Sequence, residues 1–229
     1  MNQEPLISLL QFSDGLFPAG GFAHSFGLET YVQSGNIQTA DEVETFIQAH
    51  LEGCLGPCDA VAVVAALALG RSGDLDGCFE LDSILDAMKH AAEFRDASCQ
   101  MGHQTLRIAV HLSSGSLLDN FLKRVERRQT PGHHAVVYGL TGSQFGWLPE
   151  AAATAYLFTA TSLLVGAALR LLPLGQLEGQ KIIRAIAPTI SRLARQAQNK
   201  TTNDMWSFMP GIEIAGMKHA TLEARLFRS

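Results

Sequence analysis

Residues Ala151 to Leu169 run for 19 positions without a charged side chain. A stretch of that length either crosses a bilayer or is packed among other helices. Its chemistry favours packing. Thr154, Thr159, Thr161 and Ser162 keep the hydropathy moderate, and the many Ala residues with Gly166 let neighbouring helices approach closely. Pro149 suits a first helical turn, and Pro173 stops the helix. A buried helix of this kind needs other apolar helix faces around it. The chain has them: 47% of its residues are apolar and only 17% charged, a low share for a soluble domain.

Other helices follow from periodicity and caps. Thr39 precedes Val43, Phe46, Ile47, His50, Leu51 and Cys54, and Glu42 completes a capping box with it. Pro57 interrupts that stripe, so a new or kinked helix is expected to reach about Leu69 and end at Gly70. Asp74 can cap a helix from about Leu75 to Lys89. Further helices are expected over about Ala92 to Leu112, Ser116 to Arg128, His133 to Phe145 and Leu174 to Asn199. Pro188 should kink or split the last. No β-branched alternation extends beyond a few residues. The fold expected is all-α: a single-domain helical bundle of about ten helices over residues 1–207. A polar break at Asn199–Ser207 then leads into a partner-binding C-terminal tail, residues 208–229.

Charge is uneven. Residues 1–70 carry −8, the first cation is Arg71, and the remainder carries +3. An acidic front repels nucleic acid and could attract a basic protein surface or a divalent cation. Lys123, Arg124, Arg127 and Arg128 cluster on one helix side, but no aromatic residues interleave with them, so nucleic acid is not expected there either. Cys54, Cys58, Cys78 and Cys99 read as reduced thiols rather than a disulfide framework, and MNQEPLISLL lacks a basic signal-peptide start. The expected location is the cytoplasm, with no membrane partner.

The segment LFPAGGFAHSFGLE, Leu16 to Glu29, admits three readings. A phosphate loop would need a Lys or Arg nearby and the spacing G-x-x-x-x-G-K-[ST], and has neither. A hydrolase or transferase could use His24 and Ser25, but sequence neighbours in a helix point in different directions. A turn is the simpler reading. Pro18 forces extended backbone before it, Gly20-Gly21 supply positive φ or a close approach, and Phe22, Phe26 and Leu28 start a helix. Metal ligation has two candidates. His50, Cys54 and Cys58 are spaced i, i+4, i+8 and would share a helical face in a metal carrier, while His133-His134 is an adjacent pair lacking further ligands.

Four ordered stretches carry a family resemblance: Leu9 to Gly35, EFRDASCQMGHQTL (93–106), RLLPLGQ (170–176) and FMPGIEIAGMKHATLEARLFRS (208–229). Together they resemble the urease accessory protein UreF family across nearly the whole chain. One departure is Ala220, where many relatives have Glu. The resemblance implies an all-α, dimeric nickel-insertion chaperone with no catalytic activity. It implies joining the accessory protein UreH (UreD in many organisms), recruiting the GTPase UreG, and coupling GTP hydrolysis to nickel delivery into apo-urease. No tightly bound cofactor is implied; nickel is cargo in transit through internal channels. Carried over by position, the partner-binding residues are Phe22, His24, Ser25, Met217, His219, Arg225, Leu226 and Phe227, and Arg170, Leu174 and Gln176 fall at the dimer seam. The tail buries too little apolar surface to order alone and is expected to order on binding.

Overall fold

A computed structural model describes residues 3–113 and 115–229. It is helical, with no strand among the described residues. The helices are α1 (Glu4–Ser13), α2 (Leu28–Gln33), α3 (Ala40–His50), α4 (Val61–Ser72), α5 (Leu75–Met88), α6 (Ala92–Leu112), α7 (Ser116–Glu126), α8 (His134–Phe145), α9 (Pro149–Leu171), α10 (Gln176–Gln198) and α11 (Pro210–His219).

The centre is α8, buried on all sides from His134 to Gly142. Its Gly139 lies against the Val63 carbonyl and the Ala66 methyl of α4. The small side chains of both helices permit that approach. The uncharged α9 packs along α10 and closes one side of the bundle. It is less enclosed than α8: Ala152, Tyr156, Leu164 and Val165 face inward, while Phe158 is exposed. Two helical spans, Ala40–Ser72 and Pro149–Leu171, have the length and hydropathy of a membrane crossing, yet 67% and 50% of their most apolar windows are buried inside the bundle.

Several caps form as their residues dictate. The Thr39 hydroxyl accepts from the Glu42 amide at 3.3 Å, and the Glu42 carboxylate accepts from the Thr39 amide at 3.0 Å. The Asp74 carboxylate accepts from the Gly77 amide at 2.9 Å. Two prolines behave differently from expectation. Around Pro57 the chain does not break: residues Leu51–Ala60 widen into a π-helical segment joining α3 to α4. The Gly53 carbonyl of this segment accepts from the Phe208 amide at 2.8 Å and the Pro57 carbonyl from the Trp206 amide at 3.4 Å. The widened turn is thus an attachment point for the segment leading to the tail. Pro188 does not split α10, which runs unbroken from Gln176 to Gln198 with Pro188 on its exposed side.

The tail departs most from expectation. Residues 210–219 are helical, and α11 lies against α2 and α6. Ile212, Ala215, His219, Phe227 and Ser229 are buried. The tail's apolar surface alone does not hold it in place. Its docking depends as much on polar groups supplied by the first thirty residues.

Candidate partner-docking surface

The loop between α1 and α2 is shaped by its two glycines, each for a separate reason. Gly20 has φ +86°, a left-handed conformation that side chains with a Cβ resist. Gly21 has ordinary φ, but a Cβ there would sit 2.6 Å from Leu163 Cδ1 of α9. The loop therefore turns at Gly20 and lies flat on α9 at Gly21.

So placed, residues 23–26 receive the far end of the chain. The Ala23 carbonyl accepts from the Arg228 amide at 2.8 Å. The Ser25 and Phe26 amides both donate to the Ser229 main-chain oxygen, and the Ser25 hydroxyl donates to the same oxygen at 2.8 Å. His24 Nδ1 lies 2.7 Å from the Ser229 hydroxyl. Burial first, then the charges of Arg228 and His219, lower the His24 pKa to about 4, so the ring is neutral near pH 7. His24 and Ser25 thus each bind Ser229 rather than forming the nucleophile–base pair a hydrolase would need.

Glu29 organises the rest of the tail. Its carboxylate, on a residue only 1% exposed, accepts from the Leu226 amide at 2.7 Å, the Phe227 amide at 3.1 Å and His219 Nε2 at 2.9 Å. His219 Nδ1 lies 2.9 Å from Glu93 on α6. Both ring nitrogens face carboxylates, an arrangement satisfied when both donate. Burial opposes ionisation of Glu29, but the Leu226 amide, His219 and the Phe227 amide outweigh it and hold the carboxyl below its usual range. Thr30 adds a hydroxyl bond to the Ala215 carbonyl at 2.9 Å.

Arg170 closes the junction from α9. Its guanidinium lies 3.7 Å from the Phe22 ring centre and 4.1 Å from that of Phe227, and it donates to the Phe22 carbonyl at 2.8 Å. Residues from opposite ends of the chain therefore stack on one cation. The carried-over partner residues divide into two kinds. His24, Ser25, His219 and Phe227 are buried supports, whereas Phe22, Met217 and Leu226 are 66%, 54% and 60% exposed. Arg225 is also exposed, its nearest carboxylate being Glu93 at 3.9 Å. Of the three residues expected at a dimer seam, Arg170 belongs to this junction; Leu174 is half-buried and Gln176 exposed at the start of α10. The arrangement presents apolar side chains on a rigid polar base, suited to protein docking.

A second polar group lies deeper. Lys89 donates to both oxygens of Asp59, at 2.9 and 3.1 Å, and the Tyr156 hydroxyl donates to Asp59 at 3.2 Å. Burial opposes both charges, but each partner's charge outweighs it, lowering the Asp59 pKa and raising that of Lys89. The trio borders an open-sided chamber of about 70 Å³ whose lining includes His50, Cys54, Met88 and His134. The expected ligand face of His50, Cys54 and Cys58 is not formed, because the π-helical turn destroys the i, i+4, i+8 register. Cys54 instead points its thiol at Asp59, 3.5 Å away, and Cys58 contacts the Met88 sulfur at 3.7 Å. His134 of the adjacent histidine pair packs between Tyr138 and Tyr156.

Sequence reasoning missed Glu29, Glu93, Asp59 and Lys89. One signal was available: Glu29 falls among Phe26, Leu28 and Thr30 with no cation before Arg71, and a carboxylate on an apolar face requires distant partners.

The family model described as UreF matches residues 37–187. The match includes Arg170 and Glu93 but leaves out the two chain ends that meet there, and full-length relatives span those ends. A urease accessory protein UreF from Bacillus sp. (strain TB-90) is 34% identical over 224 residues, covering 98% of this chain and 99% of the relative. UreF proteins of Lachnoclostridium phytofermentans and Trichodesmium erythraeum are each 32% identical, covering 98% and 96% of this chain and 98% and 95% of themselves. Helical fold, ordered motifs and near-complete coverage agree, and the chain belongs to the UreF family of urease accessory proteins.

Proposed function

We propose that this chain acts as a nickel-insertion chaperone in the cytoplasm: a homodimeric scaffold that binds UreH/UreD, recruits the GTPase UreG, and couples GTP hydrolysis to nickel delivery into apo-urease. It has no turnover of its own and engages neither membrane nor nucleic acid. The observation that carries this reading is the junction at Arg170, where Phe22 and Leu226 stand exposed on a base built from Glu29, His219 and Ser229. An exposed aromatic and an exposed leucine held at fixed spacing resemble the anchor residues of protein interfaces.

The chamber supports nickel in transit. Its lining mixes imidazole and sulfur, ligands suited to late transition metals. Burial lowers the pKa of both His50 and His134 to about 4, leaving neutral rings that can ligate, and His50 Nδ1 has no hydrogen-bond partner. Nickel is cargo here and needs only weak, exchangeable contacts.

Co-expression with UreH/UreD and UreG, followed by size-exclusion chromatography with and without a GTP analogue, tests the reading. Co-elution of the three proteins is expected, and addition of apo-urease and nickel should then yield active urease. Separate elution under all conditions would overturn it.

A further inference from the structure

Away from the junction, three metal-binding side chains of different chemistry converge. Asp86 of α5, Cys99 of α6 and His133 at the start of α8 bring one ligand atom each within 4.8 Å of one another. His133 Nε2 is 3.1 Å from Asp86 Oδ1 and 3.9 Å from Cys99 Sγ, which lies 3.6 Å from Nδ1 of the same ring. A tetrahedral ion with bonds of about 2.0–2.3 Å would set its ligands roughly 3.3–3.8 Å apart, close to these separations.

The ring is held from behind by a buried scaffold. Asp82, fully buried, accepts from the Gly132 amide at 2.6 Å, the His133 amide at 2.9 Å and the Thr130 hydroxyl at 2.5 Å. Ser98 Oγ lies 3.1 Å from His133 Nδ1 and also accepts from the His134 amide at 3.4 Å. The Ser98 hydroxyl, which accepts from the His134 amide, can donate to Nδ1 and leave Nε2–H to donate to Asp86. An ion bound at Nε2 would take the place of that proton, between the imidazole and a carboxylate, with Ser98 holding the ring in a ligating orientation.

We propose that Asp86, Cys99 and His133 form a three-ligand site for one divalent late transition-metal ion of the zinc–nickel class. Asp86 is 40% exposed at the side chain and supplies access, while His133 is fully buried and supplies rigidity. The site is separate from the Arg170 junction, so its occupancy is read without any partner protein.

Titrating the reduced, metal-free full chain with Co²⁺ alone provides the test. One ion per chain is expected, with a near-ultraviolet thiolate-to-cobalt charge-transfer band. Cys99→Ser should abolish the band, and Asp86→Asn, at a half-exposed position that leaves folding intact, should weaken binding at least about 10-fold. Zn²⁺ and Ni²⁺ added in separate arms should each displace the cobalt. Absence of the band, its survival in Cys99→Ser, or undiminished binding in Asp86→Asn would overturn the proposal, leaving His133 donating Nε2–H to Asp86 with no ion. Failure of both metals to displace cobalt would overturn the assigned metal class.

Discussion

A carboxylate as enclosed as that of Glu29 is held only by the donors around it: two amides and an imidazole from residues 219–227, and the Gln33 side-chain amide at 3.3 Å. Removing it leaves those donors unsatisfied. Glu29→Ala is expected to destabilise the protein by about 3 kcal/mol, measured by urea denaturation, and to expose residues 220–229 to limited proteolysis. The same geometry sets a pH dependence. The Glu29 pKa is lowered on folding from its ordinary 4.5, so its contribution is complete above that value and is lost as pH falls through the lower folded pKa. Tail protection, followed by proteolysis or hydrogen exchange, should therefore collapse on acidification below about pH 4.5. Glu29→Gln should show weaker protection already at pH 7 and a flatter acid response. None of this was visible along the chain, because Glu29 and His219 are partners at a sequence distance that no local pattern spans. His24 and Ser25 stand out in the sequence, but nothing local names Ser229 as the partner of both.

At the scale of elements, sequence and structure agree where the determinants are local. The Thr39–Glu42 box, the Asp74 cap and the long α9 all follow from residues within a turn or two of each other. They diverge where tertiary contacts decide. Pro57 was legible as an interruption, but not as a π-helical turn whose Gly53 carbonyl accepts from Phe208. The Gly20-Gly21 turn was legible in type, and the structure assigns positive φ to one residue and close approach to the other. Gly20→Ala forces a Cβ into the left-handed region and should cost about 1–2 kcal/mol in urea denaturation. Deleting residues 208–229 removes α11 but not the α4–α8 contact at the centre. Circular dichroism should show a core that stays helical and unfolds cooperatively at a lower temperature, with α2 losing its cover. Global unfolding on deletion would show that the tail is part of the core rather than docked upon it.

For the whole molecule, the acidic first third finds part of its compensation within the chain. Asp59 pairs with Lys89 and Glu52 with Arg192, while Glu29 accepts from His219 and two tail amides. The charge asymmetry that suggested an external partner is thus in part a record of how the ends fold together. What remains for a partner is apolar: Phe22, Met217 and Leu226 on the outside of the junction. The most direct test is the affinity of the purified chain for UreH/UreD, compared with that of a Phe22→Ala, Leu226→Ala double variant shown by circular dichroism to be folded. Binding weakened at least about 10-fold, roughly 1.4 kcal/mol, is predicted, with thermal stability nearly unchanged. Undiminished affinity in the folded double variant would contradict the claim that the meeting of the two chain ends builds the docking surface.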